Sequence, residues 1–184
     1  MFIDLTLKIT PQMAAADPSH GNKALVGHLG THFDVMNKEF PLVYLRREAV
    51  VFDVRAADGE IGIDDIDWTK IKKDMFVAFY TGYIEREPYG GKAYFKEHPQ
   101  LSAELIGALV KAGISIIGID FAGVRRGKEH TPADQFCADH GVFVVENLCH
   151  LDELVARGDF FTAHTYPMNV AGISGLPCRV VAEV

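Results

Sequence analysis

Residues 28–34 read His-Leu-Gly-Thr-His-Phe-Asp, and this stretch constrains the path of the chain more than any other. Imidazole nitrogen and carboxylate oxygen are common ligands of Zn²⁺ and related divalent ions. His28, His32 and Asp34 are spaced by even numbers, so an extended backbone would point all three to one face. A straight strand would still hold His28 and His32 roughly 13 Å apart, at about 3.3 Å per residue. Ligands of one ion must each lie within about 2.0–2.2 Å of it. A shared ion therefore requires the backbone to fold between the two histidines, and Gly30 is the residue best able to permit this. His32 and Asp34 need no such bend. The same spacing also describes two ordinary polar histidines flanking a glycine turn, and a mononuclear site needs a further ligand or water.

The 184 residues suit one domain with a sizeable core, expected to span 1–184. Apolar content of 48% and charged content of 23% are ordinary for a globular chain. A net charge of −7 argues against nucleic acid as a partner, because no basic stripe is present to release counterions. The densest basic group, Lys70, Lys72 and Lys73, is neutralised by Asp65, Asp67 and Asp74. No apolar run approaches the ~20 residues that span a bilayer. Met1-Phe2-Ile3-Asp4 has no positively charged n-region, so no signal peptide is expected. Cys137, Cys149 and Cys178 are odd in number and widely spaced, which fits neither a disulfide framework nor a thiolate metal site. A reducing cytoplasm is the expected compartment.

Strand and helix patterns alternate along the chain. Residues 2–9 alternate as a strand does, and 43–54 are rich in β-branched and aromatic residues. Asp58-Gly59 marks a turn and 64–71 a short helix. The apolar run 75–81 suits a strand covered on both faces, and 85–93 reads as a loop. Ser102 can cap a helix through Ala112 that Gly113 stops. A strand over 114–120 follows. Thr131-Pro132 opens a helix through Asp139, with Pro at its first position. A strand over 142–146, a helix over 151–156 and a last strand over 179–184 complete the pattern. Two helix-then-strand crossovers predict an α/β fold with an at least partly parallel sheet.

Asp120 and Glu146 each sit where a strand gives way to a loop. Sites in open α/β sheets gather at the carboxyl ends of strands. Glu146 is the favoured distant partner of the His/Asp cluster, although a strand-end carboxylate can equally face water or a helix N-terminus.

These residues resemble the cyclase-like, kynurenine formamidase-type metal-dependent hydrolases. The resemblance runs from Ile3-Asp4-Leu5-Thr6 through residues 28–34, Tyr80-Thr81-Gly82-Tyr83 and His98-Pro99-Gln100-Leu101-Ser102. It continues in Gly118-Ile119-Asp120, Glu146-Asn147-Leu148 and 167–175 with Pro177 and Arg179. It implies a compact single-domain α/β fold with a mixed sheet, of the swivelling β/β/α kind, often dimeric or of higher order. It implies hydrolysis of an amide, formamide or lactam bond in a small molecule, using one or two divalent ions. His28, His32 and Asp34 would hold the first ion, and Asp34 with Glu146 would face a second.

Two positions depart from the family pattern. Met36 stands where Pro is usual, and Lys38 where the family has a His thought to act in catalysis. Twelve residues before Glu146, Asp134 stands where the family has another metal-binding His. The exchange suggests a mononuclear site in which the Lys38 ammonium bridges Asp134 and Glu146, since clustered carboxylates need a cation. Asp134 is also the third residue of the expected helix, where a carboxylate suits the helix N-terminus.

The expectation is a metal-dependent hydrolase in which Lys38 or Glu146 moves the proton, with Zn²⁺ first and Mn²⁺ next as the ion. Glu146 and Asp134 are further metal ligands in this reading. The alternative is a family member that binds metal and a small ligand without hydrolysis. The other histidines (His20, His98, His130, His140, His150 and His164) read as surface or loop residues, with His20 and His130 the ones a loop could bring to the site. Tyr83 and Tyr89 read as packing or lid residues, and Arg125-Arg126 with Glu129 as a solvated face.

Overall fold

The structure, a computed structural model, describes residues 1–11, 13, 24 and 26–184. Its strands are β1 (Phe2–Asp4), β2 (His32–Asp34), β3 (Arg46–Asp53), β4 (Phe76–Tyr80), β5 (Ile116–Ile119), β6 (Phe143–Glu146), β7 (Phe160–Pro167) and β8 (Gly175–Glu183). Its α-helices are α1 (Tyr83–Arg86), α2 (Lys92–Lys96), α3 (Ala103–Ala112), α4 (His130–Asp139) and α5 (Leu151–Val155). The sheet runs β1-β8-β2-β6-β5-β4-β3-β7, and β7 pairs back onto β8, so the sheet closes on itself. Strands β3, β4, β5 and β6 are parallel. The remaining pairs are antiparallel. This is the mixed α/β architecture expected.

Alternation along the central strands divides the core in two. Ala49, Val51, Phe76, Ala78, Phe143 and Val145 point into the closed sheet, where they meet Phe33 of β2 and Leu176 and Val180 of β8. Val50, Phe52, Val77, Phe79 and Val144 point the other way, onto Leu105, Ile106 and Leu109 of α3. Both faces are covered, which is why β4 reads as an unbroken apolar run. Gly118 on β5 leaves room for this packing: a Cβ there would lie 2.7 Å from the Phe76 ring and 2.8 Å from Leu148.

The α3 boundaries follow the sequence. Ser102 Oγ accepts a hydrogen bond from Leu105 N at 3.0 Å, and Gly113 turns left-handed at φ 72°. Other boundaries differ. Residues 42–45 form a 3-10 turn before β3, and the helix expected over 64–71 is two 3-10 turns, Ile63–Asp65 and Trp68–Lys70. The loop expected over 85–93 carries the start of α2. β7 was not anticipated, because Thr162, Ala163, His164 and Thr165 dilute its apolar alternation, and β8 begins four residues before the expected strand. Among the described residues no helix is long and apolar enough to cross a membrane.

Candidate metal centre

β2 sends Phe33 into the closed sheet, so His32 and Asp34 emerge on the opposite face. β2 pairs antiparallel with β6 in a register that sets His32 directly opposite Glu146. The chain bends ahead of β2 at Gly30, whose φ of 71° is a left-handed conformation. A Cβ at Gly30 would also lie 2.9 Å from the Ile9 side chain. The bend returns His28 to the site. Its Nδ1 lies 3.0 Å from His32 Nε2 and 3.0 Å from Asp34 Oδ1. His32 Nε2 lies 3.5 Å from Asp34 Oδ1 and 3.6 Å from Glu146 Oε2.

These atoms fit a divalent cation. Ligands about 2.0–2.2 Å from a tetrahedral ion are about 3.3–3.6 Å from one another, which the 3.5 Å separation meets and the two 3.0 Å separations undershoot by a few tenths of an ångström. Hydrogen bonds behind the rings aim the right nitrogens. His32 Nδ1 lies 2.9 Å from the Gly30 carbonyl, which can only accept, so Nδ1 carries the proton and a neutral His32 presents a lone pair at Nε2. His28 Nε2 lies 2.8 Å from Ser174 Oγ, which leaves Nδ1 for the site. Lone pairs and a carboxylate at these separations repel unless a cation lies among them. Asp34 is 1% exposed and its Oδ2 has no hydrogen-bond partner among the described residues.

Burial acts to raise the Asp34 pKa, but His32 and His28, acting as cations and hydrogen-bond donors whenever their rings are protonated, outweigh it and hold the carboxyl well below the usual carboxylate range. Asp134 shifts the other way. Burial, joined by repulsion from Asp34, pushes it well above its ordinary value. Carboxyl groups crowded into one buried site are the arrangement that a divalent ion relieves.

A second layer of hydrogen bonds holds the bend. Asn147, left-handed at φ 60°, donates through Nδ2 to the Gly30 carbonyl at 2.8 Å and accepts from Tyr94 Oη at 2.7 Å. Thr31 Oγ1 donates to the Asn147 carbonyl, and Gly30 N donates to Tyr89 Oη, each at 2.8 Å. The Gly30 carbonyl thus joins Asn147 to His32. Tyr89 braces the bend rather than acting as a lid.

The site opens into a cavity of about 620 Å³. His28, His32, Asp34, Asp134 and Glu146 line it together, as do Phe95, His98, Arg125, Arg126 and His130. Lys38 is not among its lining residues. Its Nζ pairs with Asp139 at 2.6 Å, with the side chain 37% exposed, and it lines a separate cavity. The expected bridge from Lys38 to Asp134 and Glu146 is therefore not made. Met36 shows the reason: its φ of 56° is closed to Pro, so the chain beyond Asp34 takes a path that Pro would forbid.

Asp134 also differs from one expectation. Helix α4 starts at His130 with Glu129 at its N-cap, and no side chain caps it, so neither Thr131 nor Asp134 has the expected capping role. Asp134 is buried, with its Oδ2 3.6 Å from His130 Nε2 and its Oδ1 without a hydrogen-bond partner among the described residues. His130 reaches the cavity from the first position of α4 rather than from a loop, and its Nδ1 is fixed on the Arg125 carbonyl at 3.1 Å. His20 lies outside the described residues. His98 is buried rather than a surface residue, and Arg125 is held by Glu60 and Glu129 at the cavity wall. Asp120 is absorbed elsewhere, accepting from Thr81 Oγ1 at 2.6 Å and from the Thr81 and Tyr83 amides. Ser174, Tyr94 and Asn147 were not singled out as site residues. Asn147 alone carried a signal, as a residue type that tolerates left-handed turns at a strand end.

The family model described as "Putative cyclase" matches residues 3–125. Solved structures share the fold. A potential metal-dependent hydrolase with cyclase activity has a TM-score of 0.78 at 23% identity, covering 99% of this chain and 96% of its own. A predicted metal-dependent hydrolase from Bacillus stearothermophilus has a TM-score of 0.74 at 22% identity, covering 99% and 97%. Isatin hydrolase A from Labrenzia aggregata, bound to benzyl benzoate, has a TM-score of 0.73 at 19% identity, covering 99% and 93%. No curated protein matches the sequence.

Proposed function

The chain belongs to the cyclase family, and on that premise we propose that it is a metal-dependent hydrolase of a small amide, formamide or lactam. The observation that carries this reading is the convergence of His28 Nδ1, His32 Nε2 and Asp34 Oδ1, 3.0–3.5 Å apart, beside Glu146 in one cavity. Those three side chains would hold the ion. The set suits Zn²⁺ first and Mn²⁺ next. A divalent ion held there supplies Lewis-acid polarisation of the scissile carbonyl and brings water within reach of ionisation near neutral pH. Asp134 and Glu146 are the further ligands available should a second ion bind.

Proton transfer falls to Glu146 in this reading. It is buried at the cavity wall and lies across the strand pair from His32. It takes a proton from the attacking water and returns it to the leaving nitrogen. Lys38, turned to Asp139, has no part in this. The lactam arm draws support from the isatin hydrolases among the similar structures, since isatin is itself a lactam.

The test is a screen of metal-loaded protein against formanilides, lactams including isatin, and N-formylkynurenine. Hydrolysis that disappears in Asp34→Ala supports the reading. One observation favours a second reading, a metal-containing binder without turnover: position 38, where the family has a His, carries an ammonium directed away from the site. Tight binding of these compounds with no product would select that reading.

A further inference from the structure

We infer that His98 recognises the substrate, its Nε2 accepting a hydrogen bond from a donor on the bound molecule, so that the cavity selects secondary amides and N–H lactams over their N-alkyl counterparts. The inference rests on the hydrolase reading for the identity of the donor.

Two contacts fix the ring. His98 is 2% exposed and lies almost parallel to Phe121, with ring planes 18° apart and centroids 5.6 Å apart. Its Nδ1 is 2.7 Å from the Pro99 carbonyl. A carbonyl only accepts, so the proton resides on Nδ1, and Nε2 of the neutral ring holds a lone pair. Nε2 has no hydrogen-bond partner among the described residues, and the residue lines the same cavity as His28, His32 and Glu146. Burial pushes its pKa down to about 4, aided by positive charge from Arg126 and His130. His98 at neutral pH is thus an acceptor rather than a cation or a useful base.

The other acceptors on the wall include Asp134 and Glu146, whose carboxyl groups this reading gives to the ion and to proton transfer, and several neutral side chains are already committed. Asn147 spends its amide on Tyr94 and Gly30, Ser174 faces His28, and His130 Nε2 faces Asp134. Arg125 and Arg126 are donors only. A molecule whose carbonyl sits at the metal centre carries one donor beside that carbonyl if it is a secondary amide or N–H lactam. A tertiary amide, an N-alkyl lactam or an ester has none there. Binding such an analogue buries Nε2 without a partner, and a site built around a substrate N–H rejects analogues lacking it.

The experiment uses isatin and N-methylisatin, whose ring fixes the amide geometry, with Zn²⁺-loaded wild type, His98→Phe and His98→Gln. Phe keeps the stacking on Phe121 and removes the acceptor, while Gln supplies another acceptor. Circular dichroism and melting temperature establish that the variants fold. Wild type should prefer isatin by about 10–100-fold in kcat/KM and in the Kd from calorimetry. The preference should collapse in His98→Phe, through loss on isatin alone, and return in part in His98→Gln. An equal preference in wild type and His98→Phe, or none in wild type in either readout, overturns the inference. A binding preference that depends on His98, without turnover of any amide, upholds it while rejecting the hydrolase reading.

Discussion

His32 and Glu146 are direct partners across β2 and β6, and His32 Nε2 meets Glu146 Oε2 at 3.6 Å. The register of one antiparallel strand pair thereby sets a carboxylate beside a candidate metal ligand. A slip of β2 by one residue would turn that strand over and send the histidine into the apolar interior.

Glu146→Gln keeps the side chain's size and removes its basicity. The variant should retain its ion while kcat falls by about 10²–10⁴. Elemental analysis alongside turnover checks both parts. Wild-type activity in this variant would refute Glu146 as the proton carrier.

Lys38→Met should leave turnover within about twofold of wild type, because an exposed ion pair with Asp139 contributes little and lies outside the cavity. A steady-state assay suffices. A loss of tenfold or more would place Lys38 in the reaction after all.

Tyr94→Phe removes the hydroxyl that Asn147 Oδ1 accepts from, while Asn147 in turn shares the Gly30 carbonyl with His32 Nδ1. Loss of such outer support weakens metal affinity by about 10–100-fold. Competition against a chelator measures it, and unchanged affinity would mean that the bend is held without Tyr94.

His98 gives stability a dependence on acid pH. Its folded pKa, about 4, lies below the ordinary 6.5, so the unfolded chain takes up the proton first as pH falls. Stability is fully present above pH 6.5 and declines toward pH 4, by roughly 3 kcal/mol from this residue. Arg126 and His130 are the charged groups acting on the ring. Denaturant titrations of wild type and His98→Phe between pH 7 and 4 should show a shallower decline in the variant. Parallel profiles would contradict the assignment.

Much of the site was legible because its chemistry is local. Residues 28–34 bring His28, His32 and Asp34 together around one glycine bend, and that bend is found at Gly30. Glu146 could be anticipated from its place at a strand end. Lys38 could not be placed, because its direction depends on a left-handed Met36. His98 read as an ordinary loop histidine, since its burial depends on Phe121, which is distant in sequence. β7 was invisible for a related reason: its small and polar residues are ordered by pairing with β3 and β8 rather than by apolar pattern.

The most direct measurement is metal content per chain, by elemental analysis of tag-free protein purified without chelator, for wild type and His32→Ala. The account predicts at least one equivalent of divalent metal in wild type and its loss in the variant; a second equivalent would assign Asp134 as a ligand. No metal in wild type, even after reconstitution with Zn²⁺ or Mn²⁺, would contradict the reading of His28, His32 and Asp34 as a metal centre.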